Sequence, residues 1–127
     1  MNAEDTRQFL QRYLEALATD FEGALEKYVV DESLKEHGRF FQDAFPGYRI
    51  EPLLTVAEGN KIAVHAMFHG VHNGPLNGIE PTGKEVHEPF TIIYVVEDDQ
   101  IVNHYFVSDR LNILQQIGAF PAPAPAG

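Results

Sequence analysis

Near the C-terminal end of the chain, a carboxylate, Asp109, closes the stretch NHYFVSD that begins at Asn103, just ahead of the helix-like run RLNILQQI. Side chains on a strand alternate between faces, so Asn103, Tyr105, Val107 and Asp109 share one side, and His104, Phe106 and Ser108 the other. The side carrying Asn103 is expected to face inward, which places Asp109 in apolar surroundings. Desolvation there disfavours the charged form and lifts the pKa toward a range where the group both takes and returns a proton. The chemistry that calls for such a base is removal of a proton α to a carbonyl. Asn103 and Tyr105 are then expected to line the pocket, bonding a substrate or positioning the acid. Asp109 is also well placed for two plainer roles, capping the following helix or pairing with Arg110.

Other side chains could join this chemistry. In ESLKEHGRFFQDAF, the residues Leu34, His37, Phe41 and Phe45 fall along one helical face, so His37 and Phe41 are expected at the pocket wall. An imidazole there could donate to a developing enolate; the plainer role is a buried His satisfied by a backbone carbonyl. Tyr13, on the apolar stripe of the first helix, could orient a substrate carbonyl or simply fill the core. Glu88 is a candidate second carboxylate within reach of Asp109. His65, His69, His72, His87 and His104 invite a metal reading, but His65 and His69 on one strand stand roughly 13 Å apart. Ligands of one ion bind at about 2 Å, so no metal is expected, and these imidazoles are assigned to a solvated or subunit-contact face.

The elements that would hold these groups follow from periodicity. RQFLQRYLEALATD carries Phe9, Leu10, Tyr13, Leu14 and Leu17 at helical spacing. Asp20 is placed to cap a short second helix and Asp31 a third, which Pro46 and Gly47 end. Thereafter the pattern alternates: YRIEPLLTVAE, KIAVHAMFHGV, EVHEPFTIIYVV and IVNHYFVSD read as strands. Gly59-Asn60 and EDDQ are tight turns between antiparallel neighbours, and HNGPLNGIEPTGK is a turn-rich loop. Helices first and antiparallel strands after predict an α+β domain, a cone-shaped barrel in which the N-terminal helices pack on a curved sheet and leave a pocket. One domain spans 1–120, and the Pro/Ala tail 121–127 is expected to be disordered.

The totals narrow the partners. A hydrophobic fraction of 44%, with nine Phe and five Tyr, suffices for a core. Nineteen acids against nine bases leave a net charge of −10, which disfavours nucleic acid and anionic membranes. Cys is absent, so thiolate chemistry and disulfides are excluded. The polar, acidic start and the lack of a run near the ~20 apolar residues of a membrane span point to the cytoplasm. The outer sheet face, with His65, Met67, His87 and Ile93, mixes apolar and polar groups as a homodimer interface would.

Several segments together resemble the SnoaL-like polyketide cyclases, also called ester cyclase-like, of the nuclear transport factor 2-like superfamily. The likeness covers residues 5–118 and runs through FPGYRI, the AEGNKI turn and the loop residues Gly70, His72, Gly74, Gly78, Ile79, Pro81, Thr82, Gly83 and Lys84. It ends on Ile101, Tyr105, Asp109, Leu114, Gln116, Ile117 and Gly118. The family's terminal Trp is Tyr105 here, its DGK turn is Asp98-Asp99-Gln100, and the segment before the third helix is shorter. The resemblance implies the cone fold and an intramolecular aldol cyclisation of a hydrophobic carbonyl compound without metal or organic cofactor, with Asp109 as the general acid/base. Two alternatives stand beside it: a non-catalytic small-molecule-binding protein, and an isomerase or dehydratase. A second carboxylate or a His close to Asp109 would favour the isomerase or dehydratase.

Overall fold

The computed structural model describes residues 1–119; residue 120, the expected domain limit, and the Pro/Ala tail 121–127 lie outside them. Three helices come first: α1 (Ala3–Thr19), α2 (Phe21–Tyr28) and α3 (Glu32–Ala44). Each starts on a side chain that satisfies otherwise unpaired backbone N–H groups. Asn2 and Asp5 form a reciprocal capping box for α1. Asp20 accepts from Gly23 N–H, and Asp31 from Ser33 and Leu34 N–H, as their positions predict.

Four strands follow, β1 (Arg49–Glu58), β2 (Lys61–Val71), β3 (Glu85–Glu97) and β4 (Gln100–Ser108), then a short helix α4 (Arg110–Gln116). The strands form one antiparallel sheet in the order β1-β2-β3-β4. At the β3–β4 turn, Asp98 and Asp99 both take positive φ, 52° and 56°. That is the primed turn whose twist suits a hairpin, and Asp tolerates it better than most residues. The loop after β2 is anchored at His72, whose N–H donates to the Lys84 carbonyl and whose own carbonyl accepts from Gly83. Gly74 lies so close to the end of α3 that a Cβ there would overlap the Asp43 carbonyl oxygen.

The inner sheet face is a set of aligned rows. Val86, Glu88, Phe90, Ile92, Tyr94 and Val96 all point inward from β3. Phe68 of β2 stands opposite Glu88, Val64 opposite Ile92, and Ile62 opposite Tyr94. The helices close over this face, burying Phe9 and Tyr13 of α1, Leu25 of α2 and Leu34 of α3 against it. This is the α+β architecture expected. No helix among the described residues is long and apolar enough to cross a membrane.

One expectation is overturned at β4. Asn103, Tyr105, Val107 and Asp109 face outward and are exposed, while His104, Phe106 and Ser108 face inward. The cause is an irregularity between Val95 and Val96. Val96 pairs with Ile101 but Val95 pairs with Asn103, so Val102 is an extra residue. Ile101 is fully buried and anchors the start of the strand. One inserted residue then exchanges the faces of everything after it.

Candidate functional site

Between the helices and the inner face lies a partly open cavity of about 60 Å³. α1 contributes Tyr13 and Leu17, and α3 contributes Leu34, His37 and Phe41. The sheet contributes an aromatic lining, Phe68, Phe90 and Phe106, interrupted by Glu88, Tyr94 and Ser108. The volume is below the ~150 Å³ that holds a benzene ring. A ring-sized ligand therefore enters only as side chains shift, or with part of itself in the mouth.

His37 reaches the cavity because α3 turns its Leu34–Phe41 stripe toward the sheet. Its ring stands edge-on to Phe106 at 4.2 Å between centroids. Burial, with help from the Arg110 charge and from His104, lowers its pKa to about 4, so it is neutral at physiological pH. The Arg110 Nη2 lies 3.5 Å from Nε2. Because Arg only donates, that contact leaves the lone pair on Nε2 and the proton on Nδ1. Behind His37, His104 shares a 2.7 Å hydrogen bond between Nδ1 and Asp31 Oδ2. Burial alone would raise the Asp31 carboxyl, but bonds from His104, Ser33 and Leu34 N–H outweigh it and hold the pKa below the usual value.

Glu88 is the carboxylate inside the wall, 5% exposed. Burial pushes its pKa up, and the nearby Asp109 charge pushes the same way. Gln116 of α4 sets the local geometry. Its amide accepts from His87 N–H at 2.9 Å, donates to the His87 carbonyl at 2.9 Å, and lies 3.2 Å from Glu88 Oε2. The last turn of α4 is thereby clamped to β3 beside the acid.

Asp109 occupies the other position open to it. Its Oδ1 accepts from Asn112 N–H at 3.0 Å, capping α4, and the side chain is exposed rather than part of the cavity wall. Asn103 and Tyr105 likewise turn to the outer side, where Asn103 accepts from His104 N–H at 2.8 Å. Of the seven residues expected at a pocket, Tyr13, His37, Phe41 and Glu88 come together and Asp109, Asn103 and Tyr105 do not. Tyr48, Tyr94 and Ser108 join the lining without having been expected there. For Tyr94 the signal was available, since it shares the strand parity of Glu88. Among the described residues no three His, Cys, Asp or Glu side chains are grouped to hold one metal ion.

The SnoaL-like polyketide cyclase family model matches residues 2–117. The chain belongs to this family. Solved structures of similar fold include AclR of Streptomyces galilaeus, with a TM-score of 0.81 and 19% identity over 94% of this chain and 85% of that one. TsrD of Streptomyces laurentii gives 0.80 and 20%, over 94% and 99% of the two chains. A SnoaL-like polyketide cyclase of Agrobacterium tumefaciens gives 0.72 and 18%, over 89% and 98%. At such identities these likenesses bear on fold alone. No functionally curated protein matches the chain. In this SnoaL-like domain the C-terminal motif has a visible structural role. Asp109 caps α4, and Gln116 ties α4 to β3 next to Glu88.

Proposed function

We propose that this SnoaL-like domain binds a hydrophobic carbonyl compound in its cavity and moves a proton α to the carbonyl, with Glu88 as the acid/base. The observation that carries the reading is a carboxylate of raised pKa buried in an otherwise aromatic wall. Such a group is a stronger base than a hydrated carboxylate, and it remains acid enough to give the proton back to a far more basic alkoxide. In the proposed step the α C–H proton passes to Glu88 and the electron pair moves onto the carbonyl oxygen. The enolate carbon then attacks a second carbonyl of the same molecule, forming a C–C bond, and the resulting alkoxide recovers the proton. Neutral His37, on the facing helix, is the hydrogen-bond partner for the oxygen that gains charge. Asp109 acts from outside, its charge keeping Glu88 basic.

A simple ketone tests the acid/base part without knowledge of the natural substrate. Acetophenone in D₂O is expected to exchange its methyl protons faster with the protein than without, as followed by proton NMR. Glu88→Gln is expected to abolish that acceleration, a loss of roughly 10²-fold or more. Asp109→Asn is expected to keep it and to move its pH profile toward lower pH. Acceleration that survives Glu88→Gln and disappears with Asp109→Asn would return the role to Asp109.

The charge of Asp109 acting on Glu88 also favours a second reading, an isomerase or dehydratase that uses Glu88 on a carbonyl substrate without closing a ring. A homodimer through the outer sheet face belongs to the same proposal. Leu54, Val56, Tyr105 and Val107 are exposed there around Ile93, an apolar area that a second copy would cover.

A further inference from the structure

Three tyrosines from three parts of the chain enter the cavity: Tyr13 of α1, Tyr48 just before β1 and Tyr94 of β3. Tyr13 and Tyr94 are 2% and 3% exposed, and their rings meet edge to face with centroids 5.8 Å apart. Tyr48 packs its ring on Phe21 and Phe68 and lines the cavity itself. None of the three hydroxyls has a hydrogen-bond partner among the described residues, and none is sealed away from the cavity. A buried phenol normally finds a partner, because an unmade hydrogen bond costs about 1–3 kcal/mol. Three unpaired hydroxyls on residues that line one cavity are a set of donors that a ligand can meet. Tyr94 stands six residues along β3 from Glu88, roughly 20 Å of strand.

The charge of what fits there follows from the surroundings. The wall contains Glu88 and no Lys or Arg. Burial first, then repulsion from neighbouring phenols, pushes Tyr13 and Tyr94 above the ordinary pKa, and burial alone does so for Tyr48. All three stay protonated donors. Neutral donors in a wall that holds an acid and no cation suit an uncharged oxygen and reject a carboxylate.

We propose that Tyr13, Tyr48 and Tyr94 form a hydroxyl cradle that takes an uncharged carbonyl oxygen of an aromatic ligand, at the end of the cavity away from Glu88. The inference rests on the reading of the cavity as a ligand site. It adds that the substrate carries a second, non-reacting oxygen well separated from the carbon that loses its proton. The cradle would fix which end of the molecule enters first. A molecule with one ketone could bind there through its only oxygen.

The test uses acetophenone labelled with ¹³C at its carbonyl, read by infrared spectroscopy and isothermal titration, with ethylbenzene and benzoate for comparison. Wild-type protein is expected to bind acetophenone roughly tenfold or more tightly than ethylbenzene, the worth of one or two good hydrogen bonds. It is expected to bind benzoate more weakly than either, and to shift the labelled stretch to lower frequency. The triple variant Tyr13→Phe, Tyr48→Phe, Tyr94→Phe keeps every ring, and a Tyr94→Phe single variant guards against loss of folding in the triple. In both, the acetophenone preference and the frequency shift are expected to shrink, most in the triple. A stretch unmoved on binding, an unchanged preference in the variants, tight benzoate binding, or no saturable acetophenone binding would each overturn the cradle. The two readings fail separately. Exchange that survives Glu88→Gln sinks the role of Glu88, and a preference and shift that survive the tyrosine variants sink the cradle.

Discussion

β3 and β4 are the two arms of one hairpin; β3 carries one acid, Glu88, and β4 runs directly into another, Asp109. β3 alternates without interruption along its length, so Glu88 keeps the parity of its buried neighbours and is carried into the core. β4 carries one extra residue at Val102, and its second half is reversed, so Asp109 emerges where water and the α4 N-terminus can satisfy it. The same functional group therefore meets opposite environments a short distance apart. In one, desolvation raises the pKa; in the other, a backbone N–H and solvent surround the side chain. The environment of each acid in this hairpin is set by strand parity rather than by residue type.

The largest effect should come from testing that parity directly. Ile101 is 0% exposed and Val107 is 74% exposed. Ile101→Ala is expected to cost about 2–5 kcal/mol in urea unfolding, as buried large-to-small changes do. Val107→Ala should stay within about 0.5 kcal/mol in dilute, monomeric protein. Sedimentation at higher concentration sharpens the contrast: a dimer mass that Val107→Lys returns to monomer would support the outer face as the subunit contact. Equal costs at the two positions in the monomer would break the assignment of inner and outer faces.

A smaller effect separates the two acids by pH. Glu88 holds its proton more tightly folded than unfolded, so its contribution to stability is full in acid and declines as pH rises from the ordinary Glu range through the raised folded value. Glu88→Gln should therefore stabilise the domain at neutral pH by about 1–2 kcal/mol, the order of an imperfectly paired buried polar group, and lose its advantage in acid. His37 works in the opposite direction. Its folded pKa is lowered to about 4, so the unfolded chain binds that proton first, and stability falls as pH drops from the ordinary His range. Subtracting the variant's chemical-denaturation profile from the wild type's isolates Glu88. A flat difference across pH would mean its carboxyl is hydrated.

Much of this was legible because the chain marks its own boundaries. Asp20, Asp31 and Pro46-Gly47 punctuate the helices, and the alternation of KIAVHAMFHGV separates an inner from an outer face correctly. His37, Phe41 and Tyr13 follow from helical spacing alone. Hidden from that reasoning was anything that depends on register. A bulge leaves no composition signal in IVNHYFVSD, where Val102 is as apolar as Ile101, so after it the inward face was assigned to the wrong alternating set of residues. Glu88 was recognised only as a possible partner because, although its parity with Val86, Phe90 and Ile92 is legible, its approach to Asp109 depends on the β3–β4 register. Asp31 was read as a cap and also proves to hold His104, a contact 73 residues distant.

The last contrast is the finest. If Asp109 is chiefly a cap, its side-chain oxygen matters more to stability than its charge. Asp109→Ala then leaves Asn112 N–H without its partner and should cost about 1 kcal/mol, whereas Asp109→Asn, which keeps an oxygen in place, should cost only a few tenths. The order follows from the geometry of a cap, since Asn and Asp serve about equally at that position. Thermal or urea unfolding of the two variants measures it. Because the Asp109 side chain is exposed, the Asn variant loses only a screened, solvated charge. An Asn variant as damaged as the Ala variant would show that the charge itself is used in the fold, and the division of labour between Asp109 as cap and Glu88 as buried acid would have to be withdrawn.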